Sequence, residues 1–69
     1  MSDSVYKVIE LVGTSSESWE RAAANAVQRA GQSLRDLRVA EVTSQDVVIE
    51  NGQVKSYRTK LNLSFKFED

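Results

Sequence analysis

The side chains that could carry chemistry in this chain are carboxylates, hydroxyls and a few cations, because the sequence contains no histidine and no cysteine. Histidine is the usual general base and the commonest metal ligand, and thiolates are common nucleophiles and zinc ligands. Ser15 and Ser16 therefore have no base to activate them, and we interpret both as helix-capping residues. This composition disfavours an enzyme and leaves binding, storage or scaffolding as the expected roles.

Carboxylate oxygens are the ligands that calcium prefers, with about six to eight oxygens around each ion. The candidate calcium ligands are Asp46, Glu50, Glu68 and Asp69. Their spacing is not that of an EF-hand loop, so several copies of the chain would have to share one ion. The alternative for each residue is a solvated surface acid.

The charge and hydropathy disfavour two classes of partner. The chain carries 9 basic and 10 acidic side chains, a formal net charge of -1, and no basic block that would favour nucleic acid. No run approaches the roughly 20 apolar residues that span a bilayer, which disfavours a membrane. Residues 1–4 lack the charged and apolar regions of a signal peptide, so we expect a cytoplasmic protein.

The length of 69 residues predicts one domain, residues 1–69. A domain this short buries only about 60% of the surface that its unfolded chain exposes. Such domains usually need a disulfide, a metal or a partner subunit. Since the absence of cysteine removes the disulfide and the thiolate zinc site, we expect partner subunits to provide the missing burial.

The first two elements follow from the periodicity of the apolar residues. Residues 4–12 predict a strand with apolar side chains on both faces, and we expect Gly13 to break it and permit a sharp turn. A capping box over residues 14–17, or one of its serines alone, predicts a helix that runs to about Leu34. The apolar stripe of this helix is mostly alanine, so a sheet can approach it closely.

The remaining two elements form a predicted hairpin. Residues 37–50 are rich in β-branched side chains and predict a long strand, with a bend or bulge in the polar stretch 43–46. Asn51-Gly52 is a strong signal for a tight turn. Residues 53–67 predict the third strand, and the alternation over residues 56–67 predicts that one face packs on the helix and the other is polar.

The element order predicts an α+β fold of the β-α-β-β type. The helical crossover makes the first and second strands parallel, and the hairpin makes the third strand antiparallel to the second. Placing the third strand in the middle gives a three-stranded antiparallel sheet wrapped around one helix. The first and second strands are then exposed edges, which predicts a homo-oligomer in which other copies cover them.

The sequence resembles the dodecin family over nearly its whole length. The residues that carry the resemblance are Val5-Tyr6-Lys7, Glu10-Leu11-Val12-Gly13-Thr14-Ser15, Ser18, Ala22, Ala23, Ala26, Arg29, Ala30, Ala40-Glu41-Val42, Tyr57 and Phe65. The resemblance implies a subunit that assembles with itself into a hollow homododecamer and binds a small molecule, a flavin such as riboflavin or FMN. With Arg-Val-Ala at residues 38–40 in place of the family's tryptophan motif, the chain resembles a dodecin subgroup in which a calcium-binding role has been proposed.

The resemblance also implies a flavin site between symmetry-related second strands, lined by Val39, Glu41, Ser44, Gln45 and Arg58. Flavin-binding dodecins carry a stacking tryptophan where this chain has Val39, a glutamine where it has Arg58 and an acidic residue where it has Ser44. Because valine cannot stack on the flavin ring, we expect weak binding, and the plainer interpretation of Val39 is a buried strand residue. The alternative function is a flavin-free shell that binds calcium or serves as a scaffold.

Four residues have both a ligand-binding and a structural interpretation. Trp19 could anchor a ligand, but its register with the alanine stripe predicts a core or subunit contact. Arg58 could bind a flavin carbonyl or a phosphate, or it could be solvated or ion-paired, for example with Glu41 across an interface. Lys7 and Lys66 could face a channel or bind nucleotide phosphates, as basic residues of some dodecins do, or carry plain surface charge.

Overall fold

The computed structural model describes residues 4–66 and has the predicted β-α-β-β order. Its elements are β1 (Tyr6–Ser15), α1 (Trp19–Gly31), β2 (Leu37–Glu50) and β3 (Gln53–Lys66). The strands form one antiparallel sheet in the order β1-β3-β2, so the last strand is the central one, as expected. The predicted end of the third strand at Phe67 lies outside the described residues.

The core lies between α1 and the facing side of the sheet. Ala22, Ala26 and Ala30 are the buried residues of the helix, and Leu61 and Leu63 of β3 are 0% and 1% exposed. Leu61 and Leu63 alternate with polar residues along β3, and successive strand side chains point to opposite faces. This alternation determines which side of the sheet meets the helix. This confirms the prediction that the alternating third strand packs one face on an alanine-rich helix.

Gly13 is an interior residue of β1, and the prediction that it ends the strand in a sharp turn was wrong. The strand continues to Ser15, and Gly13 is buried against the helix. A Cβ atom at this position would lie 2.0 Å from the carbonyl oxygen of Ala22. Glycine is therefore required because the helix backbone crosses the strand closely, and not because the chain turns.

The helix begins later than the predicted capping box, because β1 takes up the residues before it. Ser18 is the N-cap, and its Oγ accepts a hydrogen bond from the backbone N of Arg21 at 3.0 Å. The prediction of a capping box at residues 14–17 was wrong, although Ser15 Oγ accepts a bond from the Glu17 amide at 2.9 Å. The helix also ends at Gly31, short of the predicted Leu34.

The hairpin contains the expected turn and three register shifts, one of which lies at Arg38 near the start of β2, while the other two offset each other. Asn51 and Gly52 have φ of 56° and 74°, the left-handed values of a type I′ turn. An extra residue on β3, Lys55, shifts the register beyond the turn, and an extra residue on β2, Thr43, shifts it back. Thr43 falls within the polar stretch where a bulge was predicted.

The hairpin projects beyond the helix and makes the subunit elongated. Its principal extents are 54 × 21 × 14 Å, and its radius of gyration is 14.3 Å against about 11 Å for a compact chain of this length. We call residues 48–55 the arm. Its apolar side chains Val48, Ile49 and Val54 are 38%, 65% and 51% exposed in the single chain.

Among residues 4–66, no helix is long and apolar enough to cross a membrane.

Candidate functional site

The candidate site is the side of the sheet that faces away from α1, which we call the outer face. Directly paired residues of an antiparallel sheet point to the same face, so β1, β3 and β2 contribute side chains in rows. Four successive rows of the outer face are Val8, Ser64 and Val39; Glu10, Asn62 and Glu41; Val12, Lys60 and Ser44; and Thr14, Arg58 and Asp46. The face thus changes from apolar to acidic to basic along the strands.

Four of the five residues of the expected flavin site lie on the outer face. Val39, Glu41 and Ser44 follow one another along the edge strand β2, and Arg58 lies on β3. Gln45 instead lies opposite the buried Thr59, on the helix side of the sheet. The rows of Val39 and Arg58 are six β3 residues apart, which is about 20 Å, so one chain does not bring them to a single flavin ring.

Val39 is an exposed residue of the single chain, with 60% of its surface accessible, and not a buried strand residue. It borders a cavity of about 160 Å³ at the β2 edge of the sheet, lined also by Val27, Leu37 and Leu63. Sites for drug-sized ligands usually measure about 300 Å³ or more. The residues of one chain therefore do not fit a flavin at Val39, and a second copy would have to complete the site.

Arg58 makes a two-point ion pair with Asp46 of the same chain. Arg58 Nε donates to Asp46 Oδ1 and Nη2 donates to Oδ2, both at 2.7 Å. These hydrogen bonds lower the pKa of the Asp46 carboxyl and raise the pKa of the Arg58 guanidinium. Arg58 is thus ion-paired, as one interpretation predicted, but within the chain its partner is Asp46 and not Glu41.

The register that creates this ion pair depends on the bulge at Lys55. A hairpin without bulges around the turn would place Asp46 opposite Tyr57, with its side chain on the other face of the sheet. The extra residue places Asp46 opposite Arg58 instead. Sequence reasoning missed the pair because no residue type on β3 signals a bulge at this point.

Trp19 joins the start of the helix to both strands of the hairpin. Its indole Nε1 donates to the Asp46 carbonyl oxygen at 3.0 Å, and Thr59 Oγ1 donates to the Trp19 carbonyl oxygen at 2.8 Å. Its ring meets Tyr57 edge to face, with centroids 5.1 Å apart and an interplanar angle of 73°. Trp19 therefore has the packing role that its position in the helix predicted.

The acids proposed as calcium ligands fall into two groups. Asp46 is held by Arg58, and Glu50 pairs with Lys55 at 3.0 Å. Glu68 and Asp69 lie outside the described residues. Within residues 4–66, no group of three or more acidic, histidine or cysteine side chains could hold a metal ion. One copy of this part of the chain therefore offers calcium no cluster of three or more such side chains.

Two other acids, which the sequence did not single out as calcium ligands, share a row of the outer face. Glu10 and Glu41 flank Asn62, and we call these three residues the carboxylate row. Two strand spacings of about 4.8 Å separate the two glutamates. None of the ion pairs found among residues 4–66 includes either of them. The pairing of Glu41 with Asn62 could have been found from the sequence by counting back from the Asn51-Gly52 turn.

Lys7 and Lys66, which could bind phosphates or carry plain surface charge, are both exposed but lie on opposite faces of the sheet. Lys7 is opposite Phe65, on the helix side, whereas Lys66 is opposite Tyr6. One chain therefore does not combine these two cations into one site.

Both the sequence and the fold of this chain match a known protein family. The family model described as Dodecin matches residues 5–68. A solved structure of dodecin from Streptomyces coelicolor has a TM-score of 0.94 and 45% sequence identity, and the match covers 100% of this chain and 99% of that chain. The chain belongs to the dodecin family, as the resemblance of its sequence implied.

Within this family, the chain is similar to relatives named for calcium. A Mycobacterium tuberculosis protein described as calcium dodecin is 56% identical over 63 residues, which cover 91% of this chain and 89% of that relative. A solved structure from Mycobacterium tuberculosis is described as a calcium-chelating immunodominant antigen, calcium dodecin, with a novel calcium-binding site. It has a TM-score of 0.84 and 54% identity over 94% of this chain and 93% of that chain.

Proposed function

We propose that this chain is the subunit of a self-assembling shell, a homododecamer, that binds calcium on its outer face. The observation that carries the proposal is the carboxylate row, in which Glu10 and Glu41 are free of cations among the described residues and flank the amide of Asn62. Hard oxygen donors of this kind suit calcium. The similarity to relatives described as calcium dodecin supports the same ligand.

The carboxylate row is incomplete as a calcium site, and this incompleteness links binding to assembly. Two carboxylates and one amide carbonyl offer fewer oxygens than the about six to eight that calcium takes. A second copy or bound water would supply the remainder. Calcium should therefore bind the assembled protein more tightly than any isolated subunit.

The exposed apolar surface of the single chain supports the assembly. Ten large hydrophobic residues among residues 4–66 are exposed in the single chain, among them Val8, Val12 and Val39 on the outer face and Ile49 and Val54 on the arm. Exposed apolar patches of this extent are uncommon in soluble monomers and mark surfaces that another chain covers. Among residues 4–66, β1 and β2 are also the two edge strands of the sheet, and each has one side that pairs with no other strand.

A weakly bound flavin is the second candidate, and one observation favours it. Val8 and Val39 flank Ser64 in an exposed apolar row, 56% and 60% accessible, against which a ring could pack if a symmetry-related row faced it. Riboflavin or FMN between two copies would then contact Val39, Glu41 and Ser44 of one copy and Arg58 of another, whereas Gln45 lies on the helix side of the sheet. Binding would be weak because valine lacks the stacking contribution of an aromatic ring, about 0.5–1.5 kcal/mol.

Calorimetric titration of the assembled protein with calcium tests the first proposal. We expect saturable binding that Glu41→Gln and Glu10→Gln each weaken about tenfold or more, since each removes a charged oxygen ligand. Glu50→Gln is the matched control, because it removes an exposed acid that pairs with Lys55 on the arm. Calcium affinity that is unchanged in both row variants would contradict the site.

Two further measurements separate the candidates. Flavin fluorescence should be quenched only weakly on addition of the protein, and strong quenching at sub-micromolar flavin would favour the flavin site over calcium. Sedimentation should show one large closed species, and a monodisperse 7.7 kDa monomer at micromolar concentration would contradict the shell.

A further inference from the structure

Arg58 and Lys60 place two cations side by side on the outer face. They are two positions apart on β3, so their side chains leave the same face and their Cα atoms are about 7 Å apart. Ser44 lies opposite Lys60 and adds a hydroxyl group. Two cations with a neighbouring hydroxyl form the kind of surface that binds phosphate or carboxylate groups.

The carboxylate of Asp46, in the same chain, already lies beside the Arg58 guanidinium. Its two carboxylate oxygens accept from Arg58 Nε and Nη2, each at 2.7 Å. This is the two-point geometry that an arginine offers to an external carboxylate or phosphate. Asp46 therefore occupies the Nε–Nη2 edge of the guanidinium and offsets the charge that would attract an anionic ligand.

The backbone of Asp46 is fixed independently of its side chain. The Trp19 indole donates to the Asp46 carbonyl oxygen at 3.0 Å, and the Trp19 ring packs against Tyr57, which lies next to Arg58 on β3. Exposed ion pairs usually lose much of their strength to side-chain freedom. Here a fixed backbone and a two-point contact keep the carboxylate beside the guanidinium, so an external anion must displace it.

We propose that Asp46 is a resident anion that determines the ligand class of the outer face, because it occupies Arg58 and excludes ligands that carry phosphate or carboxylate groups. The face then favours uncharged or cationic ligands. This inference goes beyond the calcium proposal, which uses the carboxylate row two rows away. It holds whether or not calcium binds there, since it concerns a different side chain and a different class of ligand.

Phosphorus NMR titration of the assembled protein with inorganic phosphate tests the inference. Asp46→Asn should raise the affinity for phosphate about fivefold or more over that of the wild type, by freeing Arg58 beside Lys60. The gain should disappear in about 1 M sodium chloride, where charges are screened within about 3 Å. In Asp46→Asn, the affinity for FMN relative to that for riboflavin should rise by a similar factor, because the two flavins differ only by a phosphate.

Glu50→Gln provides the matched control, since it removes the acid of another exposed ion pair without touching Arg58. It should leave phosphate affinity unchanged. Asp46→Ser repeats the test if Asp46→Asn does not assemble, and Asp46→Asn with Arg58→Gln should return the affinity to the wild-type value. Phosphate affinity that does not rise in an assembled Asp46 variant, or that rises equally in Glu50→Gln, would overturn the inference.

Discussion

The two sides of the sheet differ in what a single chain can complete. On the helix side, Thr59, Leu61 and Leu63 are at most 1% exposed, and no buried side-chain polar atom among residues 4–66 lacks a hydrogen-bond partner. On the outer face, Val8 and Val39 are more than half exposed, although they belong to the same three strands. One chain therefore closes its core on one side only, and it leaves the other side for copies or ligands.

Because of this difference, substitutions on the two sides of the sheet should change different measured properties. Substitutions on the helix side should change the free energy of unfolding of the subunit, because they alter close packing. Substitutions of exposed apolar residues on the outer face or the arm should change assembly, and substitutions of charged residues on the outer face should change ligand binding. Both kinds should leave the subunit fold largely intact. The following predictions test that division, from the largest expected effect to the smallest.

Gly13→Ala should have the largest effect on stability. Its Cβ would lie 2.0 Å from the Ala22 carbonyl oxygen, so the helix or the strand must move. We expect a loss of about 3 kcal/mol or more in the free energy of unfolding, or a chain that does not fold. Chemical denaturation followed by circular dichroism measures this change.

Gly31→Ala is the matched control for Gly13→Ala. The nearest atom to its added Cβ lies 3.9 Å away, at ordinary contact distance, and the residue is helical. We expect it to stabilise the chain by about 0.5 kcal/mol, because alanine loses less backbone entropy in a helix than glycine. Equal effects of the two substitutions would show that the helix does not approach β1 as described.

Ile49→Thr should disrupt assembly and spare the subunit. Ile49 is 65% exposed on the arm, and threonine keeps the β-branched shape while it removes apolar surface. We expect the concentration at which the assembly dissociates to rise about tenfold or more, as measured by analytical ultracentrifugation. Gln53→Ser, a polar exchange on the same arm, should not change it. An unchanged assembly in Ile49→Thr would place the subunit contacts elsewhere.

Trp19→Phe should have a moderate effect at the boundary of the two regions. It removes the indole donor to the Asp46 carbonyl oxygen and keeps an aromatic ring beside Tyr57. We expect a loss of about 1 kcal/mol in thermal or chemical denaturation. Trp19→Ala should cost more, because it also removes the ring, and equal losses in both variants would mean that only the hydrogen bond matters.

Arg58→Gln should have the smallest effect on stability and a clear effect on titration. The Arg58 hydrogen bonds hold the pKa of Asp46 below its ordinary value, so this pKa should rise in the variant. A carboxyl with a lowered folded-state pKa stabilises the fold above its unfolded pKa of about 3.9, and this contribution is lost as the pH falls through the folded-state value. Wild type and variant should therefore differ in stability at neutral pH and converge in acid.

Carbon NMR titration of the Asp46 carboxyl measures the shift directly. The stability difference at neutral pH should be small, because both side chains are nearly half exposed and solvent screens the pair. An Asp46 pKa that does not change in Arg58→Gln would show that the ion pair does not persist in solution.

The sequence predicted the elements whose signals are local. The bounds of β2 at residues 37–50 and the turn at Asn51-Gly52 agree with the structure, because β-branched runs and turn residues act over a few positions. The alternation of β3 also identified the buried face correctly. The resemblance to dodecins agreed with the family match over residues 5–68.

The predictions that failed concern contacts between distant parts of the chain. Gly13 was interpreted as a turn because a glycine that ends a strand and a glycine that admits a helix look alike in sequence. Only the position of Ala22 distinguishes them. The helix cap was placed too early because Thr14 and Ser15 extend β1 through their pairing with β3. The Arg58 partner was missed because the bulge at Lys55 changes which residues face each other.

The position of β3 between the other strands has a consequence for synthesis of the chain. β1 and β2 pair only with β3 in the described sheet, and Tyr6 pairs with Lys66. On the ribosome, β1, α1 and β2 emerge before their common partner exists, so no part of this sheet can form early. Such long-range pairing slows folding and leaves strand edges open to neighbouring nascent chains. A pause in translation before residue 53 should therefore lower the yield of folded protein more than a pause after residue 66.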